Sequence, residues 1–302
     1  METIEGALKV MMWVVTGASG QLGLALAKQL TLEGIDFIAL DSKQLDITNV
    51  DQVNEVISRI NPQIIVNTAA WTDVDGAENN SKLAFAVNEK GVKNLALAAQ
   101  FTNSTLMHIS TDYVFSGESD QPFHELAQLD PQSVYGCSKA AGELVIKEVY
   151  SGGSYVVRTA WLYSEYGKNF AKTMCSLALN SDHEVRVVDD QVGQPTNAQD
   201  LASQMVLLAN SGADFGIYHG TNSGQSSWFE FAREIFRLSG ADVSRVIGVS
   251  SSQYPTLAKR PKYSVLGHKS WSRQGLAPMQ AWKTSLERAL PGILNSVGCE
   301  ES

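Results

Sequence analysis

The chain has 302 residues, enough to bury a large core in one domain or two. Hydrophobic residues make up 44% and charged residues 18%, which is ordinary for a globular protein, and a net charge of −9 excludes nucleic-acid binding through bulk positive charge. No apolar run approaches the ~20 residues of a membrane helix, and the opening METIEGALKVMMWVV lacks the basic start of a signal peptide.

Residues 1–10 read as an extension ahead of the first strand. The apolar runs MMWVV (11–15), FIAL (37–40), QIIVN (63–67), LMHIS (106–110) and SYVVR (154–158) predict buried strands. Between them QLGLALAKQL (21–30) and VDQVNEVISRI (50–60) carry helical period, and VYGCSKAAGE (134–143) opens a further helix. Such alternation predicts an α/β fold with a doubly wound parallel sheet. Beyond Trp161 the pattern is less regular, with VRVVDD (185–190) and helical stretches at 198–210 and 228–240. The three cysteines, Cys137, Cys175 and Cys299, show neither a metal-ligand nor a disulfide pattern and read as reduced thiols of a cytoplasmic protein.

TGASGQLG places Gly17, Gly20 and Gly23 between the first strand and the helix after it. Glycines there allow a tight turn and a close backbone approach to a pyrophosphate, while the helix N-terminus favours negative charge. A glycine-rich turn without a ligand has the same letters. Asp41 closes the second strand, where an acid accepts hydrogen bonds from an adenosine ribose and favours NAD over NADP; a solvated turn residue reads alike. Together these features predict a Rossmann-type dinucleotide-binding domain over 11–165, with a return segment near 190–212. Residues 166–302 then form a smaller, mixed and mainly substrate-binding part.

Ser110, Thr111, Asp112 and Tyr113 follow the fourth strand, at the sheet end where ligands bind in open α/β folds; they also fit a polar strand cap. Tyr135 and Lys139 lie four residues apart on one helix face. A lysine ~4 Å from a phenol, at an effective dielectric of ~20, favours the phenolate by up to ~4 kcal/mol, or ~3 pKa units. That would make the tyrosine a useful proton donor for carbonyl reduction.

These blocks resemble the extended short-chain dehydrogenase/reductases. The finer resemblance is to the dTDP-4-dehydrorhamnose reductase family, through ALDSKQLDITN (39–49), IIVNTAAWTDVDGAE (64–78), STDYVFSG (110–117), VYGCSKAAGE (134–143), VVRTAWLY (156–163), NFAKTM (169–174), DDQVGQPT (189–196) and RPKYSVL (260–266). The resemblance implies NADPH or NADH as cofactor, a sugar-nucleotide substrate whose 4-keto group is reduced, and a monomer or homodimer. It implies a catalytic triad of Thr111, Tyr135 and Lys139. It places Gly20, Gln21 and Leu22, with Gly17 and Gly23, on the pyrophosphate, Asp41, Asp46 and Ile47 around the adenosine, and Ala69, Ala70, Trp71 and Thr72 beside the nicotinamide. Val74, Asp112, Tyr113 and Trp161 would border the sugar nucleotide, and Arg260 would face its diphosphate. Trp161 also fits a core position, and Arg260 a structural ion pair.

Related 4,6-dehydratases carry an Asp-Glu pair after the threonine; here Tyr113 follows Asp112, which favours net reduction. Some members have a carboxylate where this chain has Ala25, so no metal-bridged dimer and no metal site is implied. Tyr263 stands where the family commonly has Asn. Reduction of another keto-sugar nucleotide remains an alternative, as does a non-catalytic NADP-binding subunit similar to the regulatory subunit of methionine adenosyltransferase.

Overall fold

The structure, a computed structural model, describes residues 12–299; the expectation for residues 1–10 lies outside them. Five strands, β1 (Trp13–Thr16), β2 (Phe37–Leu40), β3 (Ile64–Asn67), β4 (Thr105–Thr111) and β5 (Ser154–Thr159), join a sixth, Gly216–His219, in one sheet. Every pairing is parallel, and the spatial order is β2-β1-β3-β4-β5 followed by Gly216–His219. The order reverses between β1 and β3, which is where an open α/β sheet holds its ligand.

Alternate strand residues feed two cores. Trp13 and Val15 face a cluster containing Leu22 and Leu26 of α1 (Gln21–Leu32) and Leu201 and Met205 of the helix Ala198–Asn210. Val14 and Ile65 face the opposite cluster, with Val53 and Ile57 of α2 (Val50–Ile60) and Leu95 of the helix Val92–Thr102. Strands buried on both faces need continuous apolar runs, which is what the sequence supplies. Helix α2 runs between an Asn49 cap, whose side chain accepts the Gln52 N–H, and the left-handed Asn61.

The chain after β5 builds a separate core. Helices Phe170–Asn180, Trp228–Leu238 and Trp282–Cys299 enclose Tyr163, Cys175, Phe231, Phe236 and Leu286. Val185–Val188, read from VRVVDD, pairs with Val246–Val249 and stays out of the main sheet. Among the described residues no helix is long and apolar enough to cross a membrane.

Candidate active site

A cavity of about 710 Å³ opens at the C-terminal ends of β1, β3, β4 and β5. Its first wall is the glycine turn. Gly17 has φ +69, and a Cβ there would come within 2.4 Å of the Ala69 nitrogen, so only glycine lets the β1 and β3 loops touch. A Cβ at Gly23 would lie 2.6 Å from the Gly17 carbonyl oxygen. Helix α1 starts behind Gly20 with no described side chain capping it and no acid in its first turn. Its leading N–H groups therefore face the cavity as an anion site, so the residues present fit a dinucleotide pyrophosphate.

Around this turn, Gln21, Leu22, Asp46, Ile47, Ala69, Ala70 and Thr72 line the cavity. Asp41 and Trp71 do not. The Asp41 Oδ1 accepts the N–H groups of Lys43 and Gln44, capping its own turn, and Ser42 faces the cavity instead. Trp71 is held in the loop by Asn88: the Trp71 N–H donates to Asn88 Oδ1 at 2.9 Å, and Asn88 Nδ2 donates to the Trp71 carbonyl and to Ser138. Asn88 lies in a π-helical turn, Ala86–Gly91, and ties this loop to the helix Val134–Tyr150. Nothing in its local sequence marks it.

Thr111, Tyr135 and Lys139 meet in the same cavity. The Val134–Tyr150 helix begins at a Ser133 cap and puts Tyr135 in its first turn, edge-on to Tyr113 with ring centroids 5.6 Å apart. Burial pushes the Tyr135 phenol well up, and the Thr111 hydroxyl beside it draws it part of the way back. Lys139 turns its head toward β4. Its amino group donates to the Ile109 carbonyl at 2.5 Å and meets His108 Nε2 at 3.3 Å. Tyr135 and Lys139 are on one helix face, but the lysine head is drawn to β4. Burial also brings Lys139 down to about 8.

On the other side, Thr111 donates to Asp112 Oδ1 at 3.0 Å. Asp112 is 2% exposed, and burial raises it to about 6, against the pull of the nearby Ser264 and Thr111 hydroxyls. Ser110 Oγ and Thr159 Oγ1 are buried in the cavity wall without a partner among the described residues, which is how a site waiting for a polar ligand is built. Val74, Tyr113 and Trp161 line the cavity. Trp161 is half-buried rather than core, with φ 47, and stacks on Trp228 at 3.6 Å and 9°. Gly193 makes room for it, since a Cβ there would come within 2.5 Å of the indole. Arg260 does not line the cavity: it pairs with Asp75 at 2.6 Å and reaches the Tyr113 hydroxyl at 3.5 Å. Trp228 and Lys168 line the cavity and were missed, because one merely opens a helix and the other follows a turn glycine.

A profile of the RmlD substrate binding domain matches residues 11–294. The chain is 42% identical over 290 residues to the dTDP-4-dehydrorhamnose reductase of Streptomyces griseus, covering 95% of each chain. It is 42% identical over 284 residues to the dTDP-4-keto-6-deoxy-D-glucose reductase of Streptomyces niveus, covering 94% of this chain and 98% of that one. The crystal structure of dTDP-4-dehydrorhamnose reductase from Bacillus anthracis in complex with NADP superposes with a TM-score of 0.89 at 41% identity, covering 93% and 99% of the two chains. With its glycine turn, Thr111, Tyr135 and Lys139 around one cavity, this chain belongs to the RmlD substrate-binding-domain family.

Proposed function

We propose that the chain is an NAD(P)H-dependent reductase of a 4-keto-6-deoxy sugar nucleotide, converting dTDP-4-dehydro-6-deoxy-L-mannose to dTDP-L-rhamnose. One observation carries the reading: an uncapped helix N-terminus behind a glycine turn and a buried phenol open into a single cavity. The sheet part holds the dinucleotide and the part beyond residue 165 closes over the sugar. Free thiols at Cys137 and Cys175 and an acidic surface charge fit a cytoplasmic enzyme acting as monomer or homodimer.

The pyrophosphate would be held at the start of α1 by the N–H groups of Gln21 and Leu22, the Gly20 N–H being given to the Gly17 carbonyl at 3.0 Å, with Asp46 and Ile47 beside the adenosine. When bound, the dinucleotide supplies the hydride. Tyr135, fully protonated at neutral pH because burial raises it, gives its proton to the ketone oxygen. The Thr111 hydroxyl holds that oxygen, and Lys139 holds the ribose and the charge left on Tyr135. Trp161 and Trp228 offer a flat apolar face to the sugar nucleotide. Lys168 supplies a cation for its diphosphate, since Arg260 is engaged with Asp75.

The second reading, another keto-sugar nucleotide, is favoured by the equally similar Streptomyces niveus relative. Product analysis separates them: the chain is given NADPH and dTDP-4-dehydro-6-deoxy-L-mannose, and the sugar configuration is read by NMR. dTDP-L-rhamnose supports the first reading. NADPH oxidation only with a different keto-sugar supports the second, and none with any of them leaves a binding subunit.

A further inference from the structure

Thr16, Asn67 and His108 stand side by side on β1, β3 and β4, and each, like Lys139, is at most 2% exposed. The Thr16 hydroxyl donates to Asn67 Oδ1 at 2.8 Å, Asn67 Nδ2 meets His108 Nδ1 at 3.0 Å, and His108 Nε2 meets Lys139 Nζ at 3.3 Å. This buried row ends at the group that the reading above sets beside Tyr135.

Counting donors assigns its protons. A backbone N–H only donates, and that of Ala69 points to Asn67 Oδ1 at 3.1 Å. This fixes the Asn67 amide, so its NH₂ faces His108 Nδ1. Nδ1 must accept, which leaves the imidazole proton on Nε2. Nε2–H then faces Lys139 Nζ, which already donates to the Ile109 carbonyl at 2.5 Å. An ammonium has no lone pair for Nε2–H, whereas an amine has one. Moving the proton to Nδ1 sets it against the Asn67 NH₂, and flipping that amide sets its NH₂ against the Ala69 N–H. Only a neutral Lys139 satisfies every contact.

We propose that His108 is a positioning residue that stores Lys139 as a neutral amine against the Ile109 carbonyl, and that Lys139 takes up one proton from solvent when NAD(P)H binds. The inference rests on the reading of Lys139 as partner of the ribose and of Tyr135, which requires the ammonium. The balance is one H⁺ from the buffer and one new N–H bond at Nζ. The other ionisable groups facing Lys139 keep their state. His108 is held far below its usual range chiefly by burial, and Glu143, one turn along the same helix, stays bound by Arg158 of β5. Burial places Lys139 at about 8, so the amine predominates above that pH.

Calorimetric titration of the full chain with NADPH, in buffers of different ionisation enthalpy, counts the protons. The expected uptake approaches one proton per NADPH at alkaline pH, where the amine predominates, and falls as the pH is lowered. In Asn67→Asp the carboxylate accepts Nδ1–H, the Nε2 lone pair faces an ammonium, and uptake at the higher pH falls several-fold. Negligible uptake by wild type, or equal uptake by the variant, overturns the proposal. If the variant does not fold, wild-type ring ¹⁵N shifts decide: His108 protonated on Nε2 supports the proposal, and on Nδ1 overturns it. Neither readout involves turnover. A failed reductase reading shows as no NADPH oxidation with uptake intact, and a failed proposal as oxidation without uptake.

Discussion

Replacing Glu143 by Gln removes one charge from a buried pair at the back of the active-site helix. Glu143 and Arg158 side chains are 4% and 1% exposed, and the guanidinium grips the carboxylate with two hydrogen bonds of 2.9 and 2.6 Å. Arg158 also donates to the Glu125 carbonyl at 2.9 Å, meets His219 Nε2 at 3.3 Å and lies over the Phe115 ring. None of these partners is an anion. Glutamine keeps the volume and one acceptor oxygen, but turns an N–H toward an arginine N–H and leaves the cation buried without a counter-charge. Breaking a buried pair in this way costs about 3–5 kcal/mol. The expected result is a lower urea midpoint at unchanged m value and a fall in Tm on the order of 10 °C. Glu118, 3.8 Å from Lys259 with both side chains more than half exposed, is the control, and Glu118→Gln is expected to cost under about 1 kcal/mol. If Glu143→Gln lost no more than Glu118→Gln, the claim that this pair pins the helix carrying Tyr135 and Lys139 to β5 would be refuted.

Gly17→Ala places a Cβ within 2.4 Å of the Ala69 nitrogen at φ +69, so the loop after β3 must move. NADPH affinity is expected to fall at least about tenfold with the fold retained, read by fluorescence titration, and unchanged affinity contradicts the cradle. Asp112, raised from 3.8 to about 6, gives the folded chain one more bound proton than the unfolded chain between those values. Its contribution therefore favours folding below 3.8 and is lost as pH rises through 6, by about 3 kcal/mol. Urea denaturation should find Asp112→Asn gaining on wild type by about 1–3 kcal/mol between about pH 4 and about pH 7.5, and a parallel pH dependence would contradict the burial argument. Trp228→Ala removes the stack under Trp161 and is expected to raise the sugar-nucleotide KM about tenfold while NADPH affinity stays put; an effect on NADPH alone would misplace the sugar.

The elements were legible where their own residues decide them. FIAL and VDQVNEVISRI gave β2 and α2 with their observed bounds, because burial on both faces of a sheet and an apolar stripe leave local patterns. β4 and β5 were legible for the same reason, each read one residue short of its observed end. What the letters did not carry was set by distant partners. The four-residue spacing put Lys139 on the face of Tyr135, yet its head is placed by His108 and Ile109 on another element. Arg260 read either as a diphosphate ligand or as one half of an ion pair, and Asp75, from the short helix Val74–Asn79 far earlier in the chain, pairs with it. Asp41 read as a ribose partner or as a turn residue, and its Oδ1 caps its own turn. Trp228 reaches the cavity from the edge of the separate C-terminal core and Lys168 from the exposed bend before the helix Phe170–Asn180, which no local motif announces.

The most direct test of the central claim compares wild type with Tyr135→Phe in NADPH oxidation driven by dTDP-4-dehydro-6-deoxy-L-mannose. The phenylalanine keeps the ring against Tyr113 and removes only the proton that the ketone oxygen needs. The account predicts rapid oxidation by wild type, a kcat lower by about 10²–10⁴ in the variant, and equal NADPH affinity in both. Equal rates would contradict it, whatever the substrate.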